Sequence, residues 1–160
     1  GITGIGVPEC LLNALTLNDK PAAVQCISNL IDSPGDLQYF PGPSRAREII
    51  AKTKSIGAGV LGIRPVQGGA LTDAIDRDLP SGHGVVTDYA KTANYRALAK
   101  ELGTTPAALA HRYALAMKGV DTVVLGCKNT AELKECVIAE ANGPLEPDII
   151  ARIDAAVLRN

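Results

Sequence analysis

Short apolar runs alternate along this chain with longer stretches whose apolar positions recur every three or four residues. The runs are GITGIG (1–6), AAVQCIS (22–28), AGVLGIR (58–64) and DTVVLG (121–126). None keeps the in–out alternation of a strand wetted on one side, so they predict strands covered on both faces of a parallel sheet. After the first, Pro8 suits a first helical position, and Leu11, Leu12 and Leu15 share a face. After the second, a loop over 31–43 leads to a helix over 44–57, with Ala46, Ile49 and Ile50 on one side and Gly57 as its stop. After the third, residues 65–89 carry four Gly and two Pro and predict a long loop over a functional face. Two helices follow, over 91–103 and 104–119, the second opening on Thr105 as N-cap and Pro106. After the fourth run comes a helix over 129–143, with Asn129 placed to cap it and Glu132 to complete a capping box. A last helix over 146–158 has Ile149, Ile150, Ile153 and Val157 at helical spacing.

The order is strand then helix, four times over, with one extra helix near the end. That alternation implies parallel strands joined by right-handed crossovers. Two architectures use it: an open doubly wound sheet, or part of a (β/α)8 barrel. A complete barrel takes about 250 residues. Four βα units in 160 residues amount to half of one.

Composition narrows the class. A net charge of −1 and 46% hydrophobic residues suit one globular domain spanning 1–160, long enough to bury a sizeable core. There is no basic run of the kind a nucleic-acid partner needs, and no apolar stretch long enough to span a bilayer. Cys10, Cys26, Cys127 and Cys136 stand singly, which predicts free thiols in a reducing, cytoplasmic compartment and no metal site. One Phe and no Trp predict an aliphatic core. The abrupt opening in a strand, without Met, predicts a piece of a longer protein.

The stretch VVLGCKNTAEL (123–133) places a strand, a tight turn and a helix start in succession. A helix start offers unpaired amides to an anion. A plain βα turn accounts for the same pattern.

GITGIGVPECLLNAL, PAAVQCISNLID, GVLGIRPVQGGAL, TPAALAHRYALA, VDTVVLG and NTAELKEC occur in that order. Together they resemble the second half of an aldo-keto reductase, from the fifth strand to the helix after the eighth. The resemblance implies a C-terminal half-barrel and an intact enzyme that transfers a hydride between NADP or NAD and a small carbonyl or alcohol substrate. It assigns Thr3, Gly4 and Gln25 to the nicotinamide carboxamide, where the family usually has Ser-Asn and Gln. An amide inside an apolar strand also needs partners of its own. Ile63 falls where many members stack an aromatic ring, followed by Arg64. Pro65, Val66, Gly68, Gly69 and Leu71 match the pyrophosphate-side loop. Gly126, Cys127, Lys128 and Asn129 match the turn that grips the 2′-phosphate and adenine, with Glu132 in place of an Arg or Gln and Cys136 in place of an Asn. A carboxylate at 132 would repel a 2′-phosphate, which shifts the expectation toward NADH or no cofactor.

The family's catalytic Asp, Tyr, Lys and His come from the first four units, so the resemblance places no catalytic residue in this chain. Tyr39, Tyr89, Tyr95 and Tyr113 are expected at the surface or in packing. His111 is expected to be a packed helix residue, and His83 a loop residue within reach of substrate. A half-barrel leaves unpaired strand edges, which predicts that the chain docks on a missing N-terminal half or on a second copy. The rival reading is a non-catalytic half-barrel that binds a nucleotide or phosphate or serves as an assembly module. An open flavodoxin-like sheet is a third.

Overall fold

In the computed structural model, which describes residues 1–157, the four apolar runs become parallel strands of one sheet. They are β1 (Ile2–Gly4), β2 (Ala23–Ile27), β3 (Gly59–Ile63) and β4 (Thr122–Val123). Each is shorter than its run, because the chain leaves the ladder before its apolar character ends. Helices α1 (Pro8–Ala14) and α2 (Ala46–Ser55) follow β1 and β2. After β3 come α3 (Gly84–Lys91), α4 (Ala93–Glu101) and α5 (Pro106–Ala116), and after β4 come α6 (Thr130–Ala141) and α7 (Pro147–Ala156). Leu158, the end of the last predicted helix, lies outside the described residues.

Two predicted loops carry structure. Residues 31–43 hold a 3₁₀ turn at Gly35–Leu37, and residues 65–89 hold another at Gln67–Gly69 as well as α3. The glycines around α3 disguised it. Gly84 opens that helix, and a β-carbon there would lie 2.6 Å from the backbone of Gly35, so the helix docks only with glycine at this position.

Strand order follows chain order, β1-β2-β3-β4. Each crossover therefore steps the same way, and right-handed crossovers then lay every helix on one side. A doubly wound sheet would reverse direction at a switch point. No reversal occurs among the described strands, which removes the flavodoxin-like reading.

Val24, Cys26 and Val60 are buried with Ile49 and Ile50 of α2, Leu109 of α5 and Ile153 of α7 in one core. Each such aliphatic chain contributes about 1.5–3 kcal/mol on burial. The core is not purely aliphatic, since Tyr95 and Tyr113 are buried in it too. Tyr95 donates its hydroxyl to the Pro106 carbonyl at 2.5 Å. The opposite face presents the in-register row Thr3, Gln25, Leu61 and Thr122. Thr3, Gln25 and Thr122 are exposed and Leu61 half-buried.

On the outer layer, the Arg47 Nε donates to both Asp32 carboxylate oxygens at 3.0 and 2.8 Å, and its Nη2 donates to the Tyr113 hydroxyl at 3.0 Å. Tyr113 donates onward to Asp154 at 2.6 Å, tying α2, α5 and α7 together. No helix among the described residues is long and apolar enough to cross a membrane.

Candidate functional site

Where β3 ends, the backbone winds through left-handed conformations at Arg64 (φ 59°), Gln67 (49°), Gly68 (60°) and Gly69 (102°). Such a conformation is strained for the two non-glycine residues and persists only where the surroundings fix it. The wholly buried Gln67 supplies that fixation. Its Nε2 donates to Asp88 at 2.9 Å and to the Ser33 hydroxyl at 3.2 Å, and its Oε1 accepts from the Arg64 Nε at 2.7 Å. Ser33 donates to Asp88 at 2.6 Å, and Arg64 pairs with Asp36 at 2.6 Å. Gly68 turns in a space where a β-carbon would sit 3.0 Å from the Arg64 guanidinium and 3.1 Å from Val85.

The facing wall is the turn from β4 into α6. Asn129 accepts from the amides of Ala131 and Glu132, both at 2.9 Å. Glu132 accepts from the Lys128 amide at 2.8 Å and from the Asn129 side chain at 3.2 Å. The reciprocal bond thus falls one residue earlier than a capping box puts it. The Lys128 ammonium contacts the Asp76 carboxylate. The chain's own side chains hold three amides of this helix start, so an anion there would have to displace both Asn129 and Glu132. This arrangement favours the plain turn over an open anion site.

Between the walls lies a cavity of about 390 Å³ at the C-terminal edge of the sheet. It brings together eight of the residues matched to the cofactor in the sequence: Val66, Gly68, Gly69, Gly126, Cys127, Lys128, Glu132 and Cys136. Asp73, Asp76, Glu132 and Glu135 set four carboxylates against the two cations Arg77 and Lys128. The Cys136 sulfur lies 3.9 Å from the Cys127 sulfur and 3.4 Å from the His111 Nε2. Burial pushes the Cys136 thiol up to about 11 and the His111 imidazole down, with Glu135 opposing the latter.

The carboxamide set lies apart, in a shallow depression of about 300 Å³ on the open sheet face. There Thr3 donates to the Gln25 Oε1 at 3.4 Å. Gln25 is exposed, a correction to the buried amide expected from its apolar strand: its pleat position faces away from the helices. Ile63 is half-buried. Gly4 faces the other way, with Ile49 3.4 Å from where its β-carbon would be. Pro65 and Leu71 are buried, which leaves them backbone atoms alone for any ligand. His83 caps α3, its Nδ1 accepting from the Val85 amide at 3.2 Å. Tyr89 donates to the Asp73 carbonyl at 2.7 Å, and Tyr39 is exposed. No group of three His, Cys, Asp or Glu among the described residues is arranged to hold a metal.

The sequence model of the aldo/keto reductase family matches residues 14–158. The chain belongs to that family. Its fold is similar to two solved forms of aldo-keto reductase AKR11C1 from Bacillus halodurans, each at 22% identity. The holo form superposes with a TM-score of 0.68 over 100% of this chain and 50% of its own; the apo form gives 0.66 over 96% and 49%. The chain thus spans about half the length of these structures, and its four βα units form part of a (β/α)8 barrel. No curated protein matches it.

Sequence reasoning left several contributors to this aldo/keto reductase cavity unassigned, Arg77, Asp76 and His111 among them. Arg77 donates to the Gly68 carbonyl at 2.9 Å, Asp76 engages Lys128, and His111 lines the cavity beside Cys136. The run of charges at 76–78 inside a glycine-rich loop was the available signal for the first two. His111 gave none, since a helix histidine among alanines looks like packing.

Proposed function

We propose that residues 1–160 are the C-terminal, cofactor-binding half-barrel of a larger aldo-keto reductase. The cavity between the β3 exit and the β4–α6 turn carries this reading, because it gathers eight of the predicted cofactor residues at the strand ends where barrel enzymes place their chemistry. A bound nicotinamide supplies the hydride. This chain's residues position it: Thr3 and Gln25 offer hydrogen-bonding groups on the open face, while Gly68 and Gly69 let the backbone approach closely. The cradle fits a nucleotide without a 2′-phosphate better than one with it. Glu132 and Asn129 occupy the amides that such a phosphate would seek, and Lys128 is already neutralised by Asp76. The reaction would interconvert a small carbonyl and an alcohol, with the acid–base groups supplied by an N-terminal half that completes the sheet.

Calorimetric titration of the full-length protein tests this. NADH is expected to bind about tenfold more tightly than NADPH, a difference of about 1.4 kcal/mol, and Glu132→Arg to reverse the order. NADPH preference in the unsubstituted protein would overturn the assignment of Glu132. The bare face with its row Thr3, Gln25, Leu61 and Thr122 favours a second reading, a half-barrel that serves assembly alone. Absence of heat with either nucleotide would decide for it.

A further inference from the structure

Two cysteines nine residues apart in sequence meet in the cavity wall with their sulfurs 3.9 Å apart. Cys127 sits in the exposed turn before α6, and Cys136 on the buried side of that helix. The His111 Nε2 lies 3.4 Å from the Cys136 sulfur. Its buried Nδ1 has no hydrogen-bond partner among the described residues. The other two thiols lack this setting. Cys10 is exposed without a second sulfur, and Cys26 is buried with its sulfur 3.8 Å from the Val24 carbonyl.

We propose that Cys127 and Cys136 form a reversible intramolecular disulfide when a hydroperoxide enters the cavity. The Cys127 thiol gives up its proton and the thiolate attacks one peroxide oxygen; the O–O bond breaks, Cys127 becomes a sulfenic acid and, with hydrogen peroxide, the other oxygen takes up that proton and leaves as water. The Cys136 sulfur then attacks the Cys127 sulfur while its proton passes to the His111 Nε2. The S–S bond forms, the sulfenic S–O bond breaks, and the second oxygen takes up a proton and leaves as water. Two thiols lose one electron each, and the peroxide takes both. Closing the bond needs the sulfurs to approach to about 2 Å, which a side-chain rotation of Cys127 in its exposed turn provides. The first step also eases the second. Burial above all, with contact from Cys127 adding to it, holds the Cys136 proton in place, and conversion of Cys127 to a sulfenic acid alters the second of these. The disulfide would staple the turn to α6 in the wall that also carries Lys128 and Glu132. Its formation does not depend on the nucleotide reading.

The test is peptide mapping of reduced full-length protein after equimolar hydrogen peroxide, with free thiols alkylated. Lys128 and Lys134 place the two cysteines in separate tryptic peptides. The expected product is one linked pair, lighter by about 2 Da than its two peptides and reversed by dithiothreitol. Cys136→Ser should stop at a sulfenic acid on Cys127 that dimedone traps. Cys127→Ser should leave Cys136 reduced over the same interval. His111→Asn should prolong the dimedone-trappable state roughly 100-fold. Full alkylation of both thiols while Cys10 oxidises would overturn the proposal. So would a link joining Cys10 of two molecules, or oxidation of Cys136 at an unchanged rate in Cys127→Ser.

Discussion

The two walls of the cavity are held in opposite ways. At the β3 exit, Gln67, Asp88 and Ser33 are buried and bonded to one another. At the β4–α6 turn, Asn129 and Lys128 are exposed and Glu132 is half-buried, so water can reach the bonds they lose. A buried polar group stripped of its partner costs about 1–3 kcal/mol, whereas an exposed ion pair contributes about 0–1 kcal/mol. The first wall is a fixed template. The second can change its chemistry at small cost, and it is the wall that carries Glu132 and the thiol pair.

The largest effect that would test this contrast is Asp88→Ala. It takes from the Ser33 hydroxyl and from the Gln67 amide the acceptor they share, and should remove about 3 kcal/mol in urea unfolding of the full-length protein. A loss below about 1 kcal/mol would erase the difference between the walls. Asn129→Ala removes one cap and should cost about 1 kcal/mol. A milder test is the pH dependence of Tm. Burial holds His111 below its ordinary 6.5, so on acidification the unfolded chain takes up this proton first. The contribution is complete above 6.5 and falls as the pH drops toward the lower folded value; His111→Gln should flatten that slope. Smallest of all, Lys128→Ala should change stability by no more than about 0.5 kcal/mol while altering nucleotide affinity.

Much of the fold was legible because it follows local rules. Pro8 and Pro106 stand at the first helical positions, and Thr105 and Asn129 cap their helices as expected. The alternation of apolar runs with helical spacing gave the parallel sheet. What escaped was decided by neighbours distant in sequence. Helix α3 starts on a glycine that the Gly35 backbone requires, which no local pattern reveals. Gln25 seemed buried because its neighbours Val24 and Cys26 are; only the pleat shows that it faces the open side. In the site, the turn residues 126–129 could be picked out, whereas the meeting of Cys127 with Cys136 depends on how the turn folds back along α6.

The guanidinium of Arg47 has a mechanical consequence. One planar group holds a carboxylate through its Nε and a phenol through its Nη2, a reach no ammonium can match. Helix α7 hangs from that phenol through Asp154, so peeling it away strips Tyr113 of an acceptor and loosens the Arg47 clamp in turn. Three helices far apart in the chain are therefore linked in series like coupled carriages, and a displacement of α7 would be felt at α2.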